Sequence, residues 1–310
     1  MNPVPLYGDE WVLALRPPRN PVPPDRPYAW LIEQEPAGDG RVVDVATVFL
    51  SNRECPYRCL MCDLWKNTLE ASVRPGQIPE QIRWALTQAN PRGSQTHPAA
   101  WLKLYNAGSF FDVQAIPPDD YPAIAELARP FERLIVESHP RLIGRRFHEF
   151  RGLARGEFEV AMGLETVHPE VLPRLNKGMT LDDFSEAACV LRSAGVGIRA
   201  FILVRPPFLS DAEGLEWACR SLDFAFAQGV ECCSLIPTRG GNGAMEELER
   251  HGQFAPPSLD SLEQAMEYGL SLRAGRVFVD LWDIDRVSPT AADRAARIAR
   301  LAEMNLQQTL

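Results

Sequence analysis

No stretch of this 310-residue chain approaches the roughly 18 consecutive apolar residues that read as a membrane span, so none is expected. The proline-rich start, MNPVPLYGDEWVLALRPPRNPVPPDRPYAW, lacks the charged-then-apolar order of a secretion signal, which points to a cytoplasmic protein. A basic excess is also missing. The chain has 32 Lys and Arg against 41 Asp and Glu, for a net charge of −9 and a pI near 5.2. That balance argues against a protein gripping nucleic acid alone, because phosphate binding calls for positive charge. There is no internal repeat and no low-complexity tract beyond the proline-rich start. An even set of spaced cysteines is absent too: there are seven, three of them crowded together. An odd, clustered set suits a reducing compartment and a metal site better than a disulfide framework.

What is present is a regular alternation. Residues 1–40 read as a proline-rich extension ending at AGDG. RVVDVATVFLS (41–51) then reads as a strand, short, apolar and β-branched. Further strands are expected at 100–108, 133–138, 157–166, 197–206 and 230–237, with a possible seventh at 276–283. Helical periodicity falls between them, near 79–90, 119–128, 141–154, 180–195, 212–229, 259–273 and 290–305. Thr180 is placed as an N-cap and Gly195 as a stop. Six strand–helix units predict an α/β fold, a partial (β/α)6 TIM-type barrel, with its chemistry at the C-terminal ends of the strands. The expected boundaries are an extension at 1–40, a core at 41–285 and a helical tail at 286–310.

The segment ECPYRCLMC places Cys55, Cys59 and Cys62 directly after the first of these strands, with spacing C-x3-C-x2-C. A structural zinc site normally takes four ligands, and the nearest following histidine, His97, lies 35 residues beyond Cys62. A three-thiolate zinc and chance clustering of buried thiols remain open readings. The third is an iron–sulfur cluster with one iron left free, since a cubane usually takes four thiolates and only three are offered. Pro56 keeps the start of the segment non-helical.

In this context the motif resembles the radical S-adenosylmethionine (radical SAM) superfamily, with Met61 standing where an aromatic residue is usual. LYNAGSFFD (104–112), VESHP (136–140), GLETVHPEVLPRLNKGMTLDDF (163–184), RPPFLSDAEG (205–214) and HGQFAPPSL (251–259) sharpen the resemblance. They are similar to the elongator catalytic subunit, and more so to the archaeosine-synthase radical subunit and its bacterial relatives. The resemblance implies a [4Fe-4S] cluster on the three cysteines and S-adenosylmethionine on the open iron. It also implies a flavodoxin- or ferredoxin-like electron donor and allows a partner subunit. Cofactor contacts are implied at Gly108 and Ser109, at Glu165, at Lys177 and at Arg205, the alternatives being an ordinary strand-end turn at Gly108 and Ser109, a helix-capping surface residue at Glu165 and a solvated loop residue at Lys177. Glu137 and His139 are candidates for binding substrate or moving a proton, with a structural histidine as the alternative. Arg239, in a Gly-rich loop, is either an anion contact or plain loop. Cys189, Cys219, Cys232 and Cys233 are read as packing residues.

The chain is expected to be a minimal core, without the acetyltransferase domain, auxiliary cluster domain or RNA-binding barrel of related types. Three functions follow: a radical SAM enzyme acting on a small or partner-held molecule, the same enzyme acting on tRNA, or a non-catalytic metal-binding scaffold.

Overall fold

The computed structural model describes residues 7–89, 99–287 and 293–310; His97 and the start of the expected last helix lie outside them. In chain order the elements begin with α1 (Asp9–Ala14), β1 (Ala29–Pro36), β2 (Val42–Leu50), α2 (Gln77–Ala89), β3 (Trp101–Asn106) and α3 (Tyr121–Ala128). Then come β4 (Arg133–Glu137), α4 (Arg145–Leu153), β5 (Glu157–Glu165), α5 (Val171–Arg174), α6 (Leu181–Ser193) and β6 (Gly197–Val204). The chain closes with α7 (Asp211–Ala227), β7 (Cys232–Pro237), α8 (Ala244–Arg250), α9 (Leu259–Ser271), β8 (Arg276–Val279) and α10 (Arg294–Gln307). The strands form one sheet in the order β1 to β8. From β2 to β8 every pairing is parallel, and β1 runs antiparallel along β2. The expected strands are thus all present. β1 is an addition, and it falls within the stretch read as an extension.

Alternation along the strands separates two faces. One carries Val48, Leu50, Leu102, Leu104, Val136, Val160, Met162, Ile198, Ile202 and Leu235, all nearly fully buried against the helices. Parallel strands joined by crossover helices put the helices on this outer side. Thr180 and Asp183 form a reciprocal capping box at the start of α6, worth about 1 kcal/mol. Gly195, at φ +63°, ends that turn in the left-handed region.

The other face curls inward. Glu35 on β1 meets Arg199 on β6 at 2.8 Å, and Arg276 on β8 donates to the Pro36 carbonyl of β1 at 3.2 Å. The two edge strands are therefore neighbours in space. The floor of the barrel is a charge lattice. Glu159 accepts from Arg199 (2.7 Å), Arg133 (2.8 Å) and Arg276 (3.2 Å), while Lys103 joins Glu35 and Glu33. With Glu157 on Arg133, four carboxylates meet four cations. Burial alone would raise the Glu159 carboxyl, but Arg199, Arg276 and Arg133 outweigh it and hold the group at about 2. Above the lattice, the rings of Tyr105 on β3 and Phe201 on β6 stand 6.1 Å apart across the interior.

α10 bridges the gap between β8 and β1. Asn305 and Gln308 each use a side-chain amide to give and receive a backbone hydrogen bond, at Val279 and Val277 respectively, with lengths of 2.7–2.9 Å. Among the described residues, no helix is long and apolar enough to cross a membrane.

Candidate cluster and cofactor site

The cysteine segment leaves the C-terminal end of β2 and is irregular from Ser51 to Asp63. Backbone and amide contacts fix it from several sides. Gln81 of α2, fully buried, accepts from Ser51 N at 2.8 Å and donates to Ser51 O at 2.7 Å. Cys55 N donates to Ala107 O (3.3 Å), and Leu60 N to Leu175 O (2.8 Å). The Asn242 amide donates to the carbonyls of Leu60 (2.7 Å) and Cys62 (3.1 Å). Asn176 donates to Arg58 O at 2.8 Å. The Tyr57 ring lies flat on His139, with centroids 3.7 Å apart and planes 13° apart.

Cys55, Cys59 and Cys62 are half-buried and unbridged. Burial pushes each thiol up to about 12, and Lys177 opposes this at Cys59 and Cys55. Among the described residues, no three His, Cys, Asp or Glu side chains converge as ligands of a single ion. A cluster makes a different demand, spreading its thiolate ligands over several irons. Three soft donors on a fixed, irregular loop suit iron and sulfide.

Polar side chains at the strand ends around this loop are poorly satisfied. Ser51 Oγ, Asn52 Oδ1, Thr238 Oγ1 and both amide atoms of Asn106 are buried and lack a hydrogen-bond partner within the protein. Native proteins rarely leave such atoms orphaned, and an absent ligand or water is a usual reason. The donor chemistry and these orphaned atoms together fit a polar cofactor beside a cluster.

Several of the expected residues gather here. An ideal Cβ on Gly108 would stand 3.5 Å from the backbone of Cys55, so the glycine lies directly behind the first cysteine. Glu165 and Lys177 form a buried ion pair at 2.7 Å. Glu165 sits at φ +66°, where the β5–β6 register shifts between Gly163 and Glu165. Gly163, a residue not singled out from sequence, makes room for the pair. A Cβ there would lie 2.2 Å from Glu165 Oε1 and 2.6 Å from Lys177 Nζ. Burial lowers the Lys177 ammonium, but Glu165 and then Cys59 outweigh it, so the lysine stays charged. Glu137, at the end of β4, accepts from Asn106 N and is pushed up to about 8 by burial, which leaves it neutral near pH 7. Tyr28 was also missed. Its hydroxyl is raised by burial, then by Glu137, Asp63 and Cys62, so it stands among these groups.

Other residues are engaged elsewhere. The Ser109 hydroxyl is fully buried between Ser138 Oγ (2.7 Å) and His139 N (2.8 Å) and ties the β3 and β4 ends together. His139 Nε2 meets the Lys177 carbonyl at 3.0 Å, and Nδ1 accepts from Arg141 N at 3.3 Å. Burial first, then the Lys177 charge, pulls the imidazole down to about 3. With both nitrogens held by backbone and the ring neutral, His139 has the geometry of its structural alternative. Arg205 is not brought to the group: its guanidinium donates to Pro256 O (2.7 Å) and lies 3.6 Å from Asp211. Its backbone is drawn against α7, where a Cβ on Gly214 would be 2.6 Å from Arg205 Cα. Arg239 pairs with Asp280 (3.2 Å) and donates to Trp282 O (2.5 Å). Cys232 and Cys233 are buried on opposite faces of β7 and Cys219 is half-buried, but Cys189, expected to pack, is exposed.

No protein-family profile matches the chain. It is 30% identical over 211 residues to the archaeosine synthase subunit beta of Methanosarcina acetivorans, a match covering 66% of this chain and 59% of that protein. Among solved structures it aligns with Streptococcus suis SuiB bound to S-adenosylmethionine at TM-score 0.54 and 13% identity, over 76% of this chain and 49% of SuiB. It also aligns with the archaeal Methanocaldococcus infernus Elp3 lacking its N-terminus, at TM-score 0.50 and 17% identity, over 64% of this chain and 51% of that one. The chain therefore spans about three fifths of the archaeosine synthase subunit and half of each solved chain. In sequence the chain is thus similar to the archaeosine synthase subunit beta, and in fold to solved structures that include SuiB bound to S-adenosylmethionine and the archaeal Elp3.

Proposed function

We propose that this protein is a radical SAM enzyme in which Cys55, Cys59 and Cys62 hold a [4Fe-4S] cluster with one iron open. When bound, the cluster supplies single electrons, and S-adenosylmethionine beside it supplies a 5′-deoxyadenosyl radical able to abstract hydrogen from a substrate. The observation that carries the reading is the meeting of the cysteine loop, Gly108 and the buried Glu165–Lys177 pair at the C-terminal mouth. Lys177 offers its positive charge to the thiolates and to a carboxylate, while Glu165 offers an acceptor to ammonium or ribose hydroxyls. Gly108 lets backbone approach the cofactor. Glu137, neutral near pH 7, is placed to donate a hydrogen bond or hold a proton at its carboxyl. A flavodoxin- or ferredoxin-like protein would deliver the electron.

The test is anaerobic reconstitution with iron and sulfide, then assay of 5′-deoxyadenosine release under a strong reductant. Release by the wild type that is abolished in Cys59→Ala is the expected outcome. Equal release from the variant would remove the site assignment.

The archaeosine synthase match supports a second, finer reading: a tRNA substrate, handled with a partner subunit. The net charge of −9 assigns most of the RNA grip to that partner. On this reading, tRNA binding that falls steeply with salt appears only when the partner is present.

A further inference from the structure

Residues 7–28 precede the sheet, and the first of them run along the cysteine loop. Arg16 Nη1 lies 2.6 Å from Glu54 Oε1, and Arg19 Nη2 lies 2.6 Å from Glu54 Oε2. Glu54 is the residue before Cys55 and its side chain is only 7% exposed. The same Arg16 guanidinium sits 4.4 Å over the ring of Trp65, three residues after Cys62. One side chain therefore holds both ends of the loop, through an ion pair at one end and a cation–π contact at the other. Asn20 adds two bonds beyond Trp65, from its N to Lys66 O and from its amide to Asn67 Oδ1, each 2.8 Å.

The middle of the loop is held as well. Leu60, fully buried, packs in one cluster with Tyr7 and Val12 of this segment and with Met245 and Leu248 of α8. Asn176, which donates to Arg58 O, also donates to Asp9 Oδ1 at 2.8 Å. Leu15 passes so close to α8 that a Cβ on Gly243 would stand 1.9 Å from its carbonyl oxygen. Gly243 follows Asn242, which holds the Leu60 and Cys62 carbonyls.

We propose that residues 7–20 form a strap belonging to the cluster-holding machinery, with Arg16 and Glu54 as positioning residues that set the two ends of the cysteine loop. The proposal rests on the cluster reading above. Its thermodynamic content is reciprocal: a seated strap favours cluster retention, and a bound cluster favours a seated strap.

Both directions are measurable. Wild type, Arg16→Gln, Glu54→Gln and Gly243→Ala are reconstituted anaerobically and compared for iron and acid-labile sulfide per chain. The reduced electron paramagnetic resonance signal and the rate of visible bleaching in air are recorded as well. The variants are expected to retain their far-UV circular dichroism but bleach about fivefold faster or more, the low end of a coupling between two sites. Arg16→Lys keeps the charge but loses the fork and the flat face, and should fall between Arg16→Gln and wild type. The reverse direction needs no variant. In residues 7–28 the bonds after Arg16 and Arg26 are followed by proline and resist trypsin, so Arg19–Asn20 is the one cleavable bond. Cluster loading of the wild type should slow that cut about fivefold or more.

Wild type that takes up no cluster by iron, sulfide and resonance would sink the cluster reading itself. Wild type that holds a cluster, with variants matching its bleaching rate and resonance line shape, would overturn the strap alone. Variants too unfolded to compare leave the trypsin experiment to decide, and equal cutting of loaded and unloaded wild type would overturn the strap.

Discussion

Gly163 shows what an absent side chain can do. The Glu165–Lys177 pair fills the volume a Cβ would take, and both partners are buried. Gly163→Ala must push the pair apart, leaving a buried charge poorly matched, a change that typically costs about 3–5 kcal/mol when a pair is broken outright. If the pair serves S-adenosylmethionine, this variant weakens its binding tenfold or more, a difference of about 1.4 kcal/mol, and equilibrium binding to the loaded protein measures it. Some of this was legible. The three cysteines stand out by their crowding, and a glycine inside a strand pattern signals a bulge or close approach. Tyr28 and the His139–Tyr57 stack were not legible, because each depends on segments that meet only after folding.

At the scale of elements, the strands from β2 to β8 could be read because each is a short apolar run between turn residues. β1 could not. Prolines crowd its surroundings, and AWLIEQEP sends Glu33 and Glu35 inward to the charge lattice, so the usual polar-out rule fails. α8 was hidden in the same way behind the glycines of RGGNGA. The lattice that obscured β1 makes a pH prediction. In the folded protein the Glu159 carboxyl sits at about 2, and Arg199 and Lys103 hold that of Glu35 well below the ordinary value of 4.5 as well. Their stabilisation is complete above about pH 4.5 and is lost as pH falls toward 2. Urea midpoints should therefore stay level from pH 6 to about 4.5 and fall from there to pH 3, and Glu159→Gln should start lower and fall less.

At the scale of the whole molecule, α10 spans the gap between the two edge strands, β8 and β1, of the curled sheet. A strand with free N–H and C=O groups invites another chain to pair with it. On β8 those groups at Val277 and Val279 are already occupied by the amides of Gln308 and Asn305. The two side chains imitate a neighbouring strand while being unable to extend the sheet. α10 is thus a guard against self-association as well as a lid on the core. Replacing both amides, as Asn305→Leu with Gln308→Met, keeps the helix but leaves the Val277 and Val279 backbone groups without these partners. The double variant should elute from a sizing column as concentration-dependent oligomers under conditions where the wild type does not.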